Sequence, residues 1–349
     1  MRIAIVAPPW LPVPPPAYGG TEAVLDGLAR GLVVAGHEVL LIGHPDSTCP
    51  VPKASVVAAA DTVPMGRAIT ELEHAIGAYA LAEGYDVVSD HTIGGPIVAL
   101  SVPDLPVVAT NHNPFGHGRE ALYSKASGRV AVVAISHSHA STTDVPIAAV
   151  IHHGIDVGDF PEGAGDGGYI AALTRMSPDK GVDHAVRLAR HAGQPLRIAA
   201  KIGEPREQQY FDDCVRPLLG GDIEFIGEVD AAGKRELLAH ATLLLNPTAW
   251  AEPFGMTMLE SLACGTPVVA TRRGAATEIV EHGVTGYLGN TDDELTDGIA
   301  RAATLDRSTC RRSAMERFSI EAMSAAYIDA YEREISRCAA GARRSEIMR

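Results

Sequence analysis

The chain lacks the features typical of membrane, secreted and nucleic-acid-binding proteins. No apolar run approaches the length of a transmembrane helix, and the run at residues 3–7 is too short for the core of a signal peptide. The five cysteines are scattered and form no C-x-x-C pair, which argues against a disulfide framework and a zinc site. A net charge of −14 without a basic stripe disfavours a nucleic-acid partner and strong attraction to an anionic membrane. We therefore expect a soluble, cytoplasmic protein.

Several catalytic signatures are also missing from the sequence. There is no G-x-G-x-x-G fingerprint, no P-loop and no G-x-S-x-G elbow, which disfavours dinucleotide enzymes, Walker-type NTPases and serine hydrolases. The acidic pairs Asp212-Asp213 and Asp292-Asp293 fall in helical, exposed contexts and not at predicted strand ends. We expect no metal site.

The 349 residues are enough for two domains, each with its own core. Short apolar runs rich in Val, Ile and Ala alternate with helical patterns, which predicts α/β domains with parallel sheets covered on both faces. Glycines cluster around Pro161 in residues 154–168, the predicted linker. Strands are predicted at residues 2–7, 38–42, 85–89, 106–110, 130–135 and 148–152 of the first half, and at residues 169–173, 196–200, 223–226, 242–245 and 267–270 of the second.

The most informative motif is EPFGMTMLE at residues 252–260. Glu252 and Glu260 are eight positions apart, a little over two helical turns, so both carboxylates can face one side of a helix. Pro253 is predicted to open this helix and Gly265 to end it in the left-handed conformation. A helix N-terminus suits a phosphate, whereas a carboxylate beside it suits sugar or ribose hydroxyls. A surface helix with two solvated glutamates would show the same pattern.

Two further pairs of residues lie in predicted loops between a strand and the next helix, where open α/β sheets bind ligands. Arg175 and Lys180 are five positions apart across a turn, a spacing that can bring two cations onto one anion. A solvated pair on a loop is the alternative. Gly19 and Gly20 precede a predicted helix, where they would let the backbone approach a ligand, and this ligand role is favoured. A mobile Pro-rich loop closed by a capping turn is the alternative.

Histidines follow two of the predicted strands in the first half. His112 and His91 could each hydrogen-bond a sugar hydroxyl, or could simply cap a backbone carbonyl. Position at a strand end leaves both roles open for each histidine.

The order and spacing of these motifs resemble those of the retaining glycosyltransferases of family four, a large GT-B family with an E-x7-E signature. The resemblance covers essentially the whole chain. It implies that Glu260 holds the ribose hydroxyls of a nucleotide donor and that Glu252 holds hydroxyls of the transferred sugar. It also implies that Arg175 and Lys180 bind the donor diphosphate and that His112 lies near the donor sugar.

The resemblance extends to smaller segments and shows two departures. The Gly-Gly-Thr-Glu segment resembles the family's donor-phosphate loop, and Gly227-Glu-Val229 resembles the segment that contacts the base through its backbone. His153 stands where the family usually has asparagine, and Thr174 stands where a glycine usually precedes the arginine. The expected catalytic residues are His112, Glu252, Arg175 and Lys180, and the expected donor-binding residues are Gly19, Gly20, Arg175, Lys180, Gly227, Val229, Phe254, Gly255, Met256 and Glu260.

The resemblance implies an α/β GT-B fold, in which two doubly wound, Rossmann-like domains face each other across a cleft. The expected domains are residues 1–160 on the acceptor side, residues 161–319 for the nucleotide sugar, and a C-terminal helix at residues 320–349 that packs back on the first domain. The implied reaction is metal-independent, retaining transfer of a hexose from a UDP-sugar or similar donor to a small-molecule or glycan acceptor, without a resident cofactor. A nucleotide-sugar epimerase and a non-catalytic nucleotide-sugar-binding protein remain alternatives.

Overall fold

The computed structural model describes residues 1–17, 19–57, 66–116 and 118–347. The chain divides into two compact units: unit 1 comprises Met1–Gly154 and Ile320–Arg349, and unit 2 comprises Ile155–Ser319. Unit 2 is therefore inserted into unit 1 between its last strand and a C-terminal helix.

Unit 1 is built on a seven-stranded parallel sheet. Its strands are β1 (Arg2–Val6), β2 (Glu38–Ile42), β3 (Lys53–Ala54), β4 (Val87–Asp90), β5 (Val107–Thr110), β6 (Ala131–Ala134) and β7 (Ala149–Val150). The strand order is β3-β2-β1-β4-β5-β6-β7. The order reverses between β1 and β4, and the carboxyl ends of the strands beside such a reversal are where open α/β sheets bind ligands. The residues of β4 and β5 are all buried, as expected for central strands of a parallel sheet.

The helices of unit 1 include one from the far end of the chain. They are α1 (Gly20–Val34), α2 (Ala68–Leu81), α3 (Gly95–Val98), α4 (Arg119–Ala126), α5 (His137–Ala140) and the C-terminal helix (Ile320–Ile347). The C-terminal helix packs against α1 and β5. Its Tyr327 and Tyr331 are fully buried, and the Tyr327 hydroxyl lies 3.0 Å from Thr110 Oγ1 at the end of β5.

Unit 2 repeats the doubly wound plan with six parallel strands. They are β8 (Ile170–Arg175), β9 (Leu196–Lys201), β10 (Ile223–Gly227), β11 (Leu243–Asn246), β12 (Val268–Thr271) and β13 (Gly286–Gly289). The order is β10-β9-β8-β11-β12-β13, so the strand order reverses between β8 and β11. Ile198, Leu245 and Val269 of the sheet pack with Val186 and Ile299 in one apolar core.

Helices surround this second sheet. They are α6 (Val182–His191), α7 (Pro205–Tyr210), α8 (Ala231–His240), α9 (Met256–Ala263), α10 (Ala276–Ile279), α11 (Asp292–Ala302) and α12 (Arg307–Arg317). Two arginines of α12 hold the segment that enters unit 2. Arg307 Nε donates to the Gly163 carbonyl at 2.7 Å, and Arg311 Nη2 donates to the Val157 carbonyl at 3.0 Å. These bonds fix much of the Gly-rich segment predicted as a linker onto unit 2.

The α/β fold with two parallel sheets is confirmed, and all eleven predicted strands occur with ends within two residues of the prediction. Two strands were missed. β3 is a two-residue edge strand, and β13 (GYLG) has glycine at both ends, so neither shows the usual strand composition. In the part of the chain that the structure describes, no helix combines the length and apolarity needed to span a bilayer.

Candidate functional site

The two glutamates of the 252–260 motif lie on different elements. Glu260 is in α9, whereas Glu252 lies in the loop before it. The prediction that both share one helical face is therefore wrong. The cause is Gly255, whose left-handed conformation (φ 114°) stops the helix from extending toward Pro253. The helix ends as predicted at Gly265, which has φ 73°.

The Glu252 loop is fixed by a neighbouring turn. The Glu252 carbonyl accepts a hydrogen bond from the Ala275 backbone N–H at 3.0 Å. Gly274, between β12 and α10, passes so close that a Cβ there would lie 2.4 Å from the Glu252 backbone nitrogen. The position of the Glu252 carboxylate is thus set by two loops of unit 2.

Lys180 and Glu252 form a shielded ion pair. The Lys180 ammonium donates to Glu252 Oε1, and the two side chains are only 10% and 17% exposed. The ammonium also lies 5.2 Å from the centre of the Trp250 ring, within range of a cation–π interaction. The cation predicted for the diphosphate and the carboxylate predicted for the sugar are therefore brought together from the loops after β8 and β11.

Glu260 is paired with a lysine that the sequence did not single out. Lys234 on α8 donates to Glu260 Oε1 at 2.5 Å, and the Glu260 side chain is 7% exposed. The pairing fixes one carboxylate oxygen. Because a carboxylate has several acceptor positions, Glu260 can still accept hydrogen bonds from ligand hydroxyls.

Arg175 ends β8 and is held by carboxylates of its own. Its Nε lies 3.2 Å from Glu207 Oε1, and its Nη2 lies 3.9 Å from Asp179 Oδ2. Glu207 is 2% exposed and also accepts the Gly203 backbone N–H at 2.7 Å. Each predicted diphosphate cation thus has a carboxylate partner in the ligand-free protein, so an entering diphosphate would compete with these pairs.

The other predicted donor-binding residues of unit 2 lie near the same strand ends. Gly227 is the last residue of β10 and has φ 83°, and half-buried Val229 follows it just before α8. Phe254 is 3% exposed, with its ring edge-on to Phe318 at 6.1 Å, so this ring serves packing. Met256 is half-buried in the first turn of α9.

In unit 1, half-buried His112 belongs to a group of histidines in which His91 and His153 are buried. His112 Nε2 lies 2.8 Å from His91 Nδ1, and the His112 ring stacks on His153 with ring centres 5.1 Å apart. Burial, followed by repulsion from His139, lowers the pKa of His112 to about 3. Burial and repulsion between neighbouring rings also hold the pKa values of His91 and His153 well below the usual value. These rings are neutral at physiological pH and can act as hydrogen-bond donors and acceptors.

Asp90, the one carboxylate next to these histidines in sequence, is committed to the fold. It is fully buried and accepts hydrogen bonds from the Tyr79 hydroxyl at 2.6 Å and from the Thr92 backbone N–H and hydroxyl, each at 2.8 Å. Burial raises its pKa to about 6. These bonds make it a structural carboxylate rather than a general base.

The glycine pair of the first loop lies at the start of α1. Gly19 immediately precedes the helix and Gly20 is its first residue, at the carboxyl side of β1. The helix that they open is fifteen residues long, and the N–H groups at such an N-terminus favour an anion in general. Within the described ranges, no group of three or more His, Cys, Asp and Glu side chains is arranged to hold a metal ion.

Sequence reasoning missed several residues that hold the predicted ones. Glu207 forms a capping box with Glu204, a pattern that is visible as E-x-x-E in the sequence. Lys234 gave no signal, because it meets Glu260 from a different helix. Ser89 and Tyr331, which contact each other at 2.7 Å, are far apart in the sequence and look like ordinary core positions.

Comparisons with known proteins agree with the two-unit plan. The model described as Glycosyltransferase Family 4 matches residues 18–159, and the model described as Glycosyl transferases group 1 matches residues 160–317. A phosphatidyl-myo-inositol mannosyltransferase of Mycolicibacterium smegmatis is 28% identical over 335 residues, covering 86% of this chain and 83% of the relative.

Solved structures show the same fold. AviGT4, a glycosyltransferase involved in avilamycin A biosynthesis, is 26% identical with a TM-score of 0.72, over 96% of this chain and 98% of that one. HepE of Anabaena, solved in complex with UDP-glucose, is 21% identical with a TM-score of 0.74, over 95% of this chain and 100% of that one.

Proposed function

Because the chain belongs to the glycosyltransferases described by the family 4 and group 1 models, we propose that it is a retaining, metal-independent hexosyltransferase that uses a nucleotide diphosphate sugar. Its two doubly wound units have the GT-B fold. One observation carries the proposal: Lys180 and Glu252 form a shielded ion pair from the loops after β8 and β11, where the strand order of unit 2 reverses. Arg175 ends β8, and Glu260 lies in α9, the helix that follows β11.

A UDP-hexose is the proposed donor. The likeness to HepE, whose structure contains UDP-glucose, supports this choice. Glu260 is proposed to accept hydrogen bonds from the ribose hydroxyls, while backbone groups at Gly227 and Val229 contact the base. The pairing of Glu260 with Lys234 fits this role, because it orients the carboxylate before a ligand arrives.

The leaving diphosphate is proposed to be neutralised by Arg175, Lys180 and the backbone N–H groups at the start of α9. The lysine lies in a shielded position, where a charge interacts more strongly than in water. Preorganised charges of this kind are often the largest single term in catalysis. Glu252, released from Lys180 by the incoming phosphate, would be available to the hydroxyls of the sugar.

Retention is proposed to follow from attack on the same face of the sugar as the leaving group. The departing phosphate oxygen would take the acceptor proton, while His112 and Glu252 hold sugar hydroxyls. Inversion would need a general base on the acceptor side, and Asp90 is occupied by Tyr79 and Thr92. The acidic net charge of −14 favours a soluble small-molecule or glycan acceptor.

Incubation with UDP-, GDP- and ADP-hexoses, each with and without EDTA and with a panel of acceptors, tests the proposal. We expect sugar transfer from the UDP donor and unchanged rates with EDTA. Loss of activity in EDTA and its rescue by magnesium would contradict metal independence. Conversion of the donor to an isomeric sugar without any acceptor would instead identify an epimerase.

Replacing Glu260 by alanine is expected to weaken UDP binding, with little further effect on the bound donor's reactivity. The reason is that ribose contacts are similar in the ground and transition states. Isothermal titration calorimetry with UDP measures the change directly. Glu236→Ala, which removes an exposed carboxylate from α8, is the matched control. Equal UDP affinity in Glu260→Ala and the control would exclude the ribose role.

The product made from a UDP-α-hexose is expected to carry an α linkage. Proton NMR of the first product, recorded before anomers equilibrate, gives the coupling constant of the new anomeric proton. A β coupling would show inversion and would require a base on the acceptor side.

A further inference from the structure

Buried polar side chains connect the C-terminal helix to His112 through a continuous series of hydrogen bonds, here called the tyrosine–histidine relay (Tyr331, Ser89, His91 and His112). The Tyr331 hydroxyl donates to Ser89 Oγ at 2.7 Å. Ser89 Oγ lies 2.9 Å from His91 Nε2, and His91 Nδ1 lies 2.8 Å from His112 Nε2. Tyr331 and Ser89 are fully buried and His91 is 4% exposed, so water does not compete for these bonds.

The direction of donation at Tyr331 sets the direction of every later bond. Ser89 accepts from Tyr331, and among the described residues its only other side-chain hydrogen-bond neighbour is His91 Nε2. The single hydrogen of Ser89 would be buried without a partner unless it goes to His91 Nε2, so this donation is the favoured arrangement. A neutral His91 with Nε2 as acceptor carries its proton on Nδ1 and donates it to His112 Nε2. A neutral His112 with Nε2 as acceptor then carries its own proton on Nδ1.

We propose that Tyr331, Ser89 and His91 are positioning residues that hold His112 as its Nδ1–H tautomer, so that this N–H is offered to a hydroxyl oxygen of the donor sugar. The proposal rests on the sugar-binding role proposed above for His112. It assigns a purpose to residues of the C-terminal helix that do not touch the substrate themselves.

Two features of His112 support this assignment. Its Nδ1 is shielded from solvent and makes no hydrogen bond to any residue that the structure describes. A shielded donor without a partner is costly in the free protein, and that cost is recovered when a ligand oxygen accepts the bond. The His153 ring, stacked 22° from parallel with the His112 ring, limits rotation that would exchange the two nitrogens.

The neutrality needed for this reasoning follows from the surroundings of the rings. Burial holds the pKa values of His91 and His112 far below neutral pH, and proximity to another histidine lowers each further. Only one proton fits between His91 Nδ1 and His112 Nε2. Which nitrogen of each ring carries the proton is therefore decided by hydrogen bonding at Ser89 and not by charge.

Tyr331→Phe removes the hydroxyl that sets the direction while keeping the buried ring. Ser89 then loses the donor that polarises its O–H toward His91, so its bond to His91 Nε2 weakens and the opposite tautomers of both histidines become more accessible. We expect kcat/KM for the donor sugar to fall about tenfold, the equivalent of one ordinary hydrogen bond. UDP affinity, measured by calorimetry, is expected to stay unchanged because the relay serves the sugar and not the nucleotide.

Tyr327→Phe is the matched control. Tyr327 lies one helical turn earlier on the same helix, is equally buried, and also bonds a side-chain hydroxyl, that of Thr110, yet its hydroxyl is outside the relay. Both variants lose one buried hydrogen bond and should lose similar thermal stability. Only Tyr331→Phe is expected to change the sugar kinetics, and equal kinetic losses in both variants would overturn the proposal.

Nitrogen-15 NMR of histidine-labelled, ligand-free protein reads the tautomers without any enzymatic assay. His91→Asn, in which the side-chain amide can replace the Nδ1 donor, assigns the signals and is expected to keep His112 in the Nδ1–H form. We expect Nδ1–H at His112 in the wild type and a mixture in Tyr331→Phe. Nε2–H at His112 in the wild type would overturn the relay, even if transfer activity is found. The predicted tautomers in a protein without transferase activity would support the relay and reject the proposed function.

Discussion

Replacing Lys180 by alanine is expected to lower kcat/KM for the sugar donor by about 2–4 kcal/mol of transition-state stabilisation, roughly 30- to 1000-fold. The ammonium is 10% exposed and would face a leaving group that gains negative charge. Arg175→Ala should show a loss in the same range, although its guanidinium is 36% exposed and more open to screening by solvent. Steady-state kinetics with the identified donor measure both.

Arg187→Ala provides the matched control for these variants. Arg187 lies on α6 of the same unit, is 57% exposed and pairs with Asp183, so its loss changes the net charge equally without touching the predicted site. Wild-type kinetics in Lys180→Ala would remove this residue from the diphosphate role.

A second variant separates the loss of the cation from the carboxylate that it leaves behind. In Lys180→Ala the Glu252 carboxylate loses its partner, although its side chain is only 17% exposed and poorly solvated. The unpaired charge is expected to destabilise unit 2. The double variant Lys180→Ala with Glu252→Gln removes this charge and should regain thermal stability, while activity stays low. Recovery of stability together with kinetics equal to those of Glu252→Gln alone would mean that Lys180 acts only through folding.

Lowering the pH from 7.5 to 5.0 is expected to destabilise unit 1 by about 3 kcal/mol, counting three buried groups. Burial lowers the pKa of His112 to about 3 and that of His139 to about 4. Below pH 6.5 the unfolded chain binds protons at these positions that the folded unit does not bind, so stability falls as the pH falls. Each histidine contributes about 2 kcal/mol of destabilisation at pH 5.

Protonation of Asp90 on acidification has the opposite effect on the stability of unit 1. Burial raises its pKa to about 6, so the folded unit binds this proton more readily than the unfolded chain, and acidification through pH 6 restores stability. At pH 5 the gain is about 1 kcal/mol, smaller than the combined histidine loss. His74, His91 and His153, whose pKa values burial also lowers, add to the loss beyond these three groups.

The two tryptophans allow each unit to be followed separately. Trp10 lies in unit 1 and Trp250 in unit 2, so Trp250→Phe and Trp10→Phe each leave one reporter. The four histidines of unit 2 are exposed or half-buried, which makes this unit the internal control. Urea unfolding at pH 7.5 and 5.0 should shift the Trp10 midpoint far more than the Trp250 midpoint. Equal shifts would contradict the histidine explanation.

The fold was predictable because apolar runs, separated by glycine-containing turns, repeat along both halves of the chain. The Val268–Thr271 strand, for example, is buried at every residue, as expected for a parallel strand covered on both faces. The geometry of the 252–260 motif was less accessible. Helical periodicity suggested a single helix, but the left-handed conformation of Gly255 breaks it. The close approach of Gly274, which fixes the Glu252 backbone, comes from a loop about twenty residues later in the sequence.

The residues that contact the predicted site residues could not be predicted from the sequence, for a different reason. Arg175, Lys180 and His112 could be chosen because charged and polar side chains at strand ends are unusual unless they serve a ligand. Lys234 and Tyr331 are ordinary helical residues whose importance comes only from what they contact. Such contacts are set by tertiary packing, which periodicity and spacing do not encode.

The insertion of unit 2 into unit 1 has a consequence for biosynthesis. Tyr331 and the helix that carries it leave the ribosome after all of unit 2, although they complete the core of the unit that was made first. Unit 2 is continuous in sequence and can fold as soon as it emerges, whereas the histidine cluster of unit 1 must wait for the helix that begins at Ile320. Truncation before residue 320 would therefore leave unit 1 unfinished, and nascent chains would need protection until the C-terminal helix has emerged.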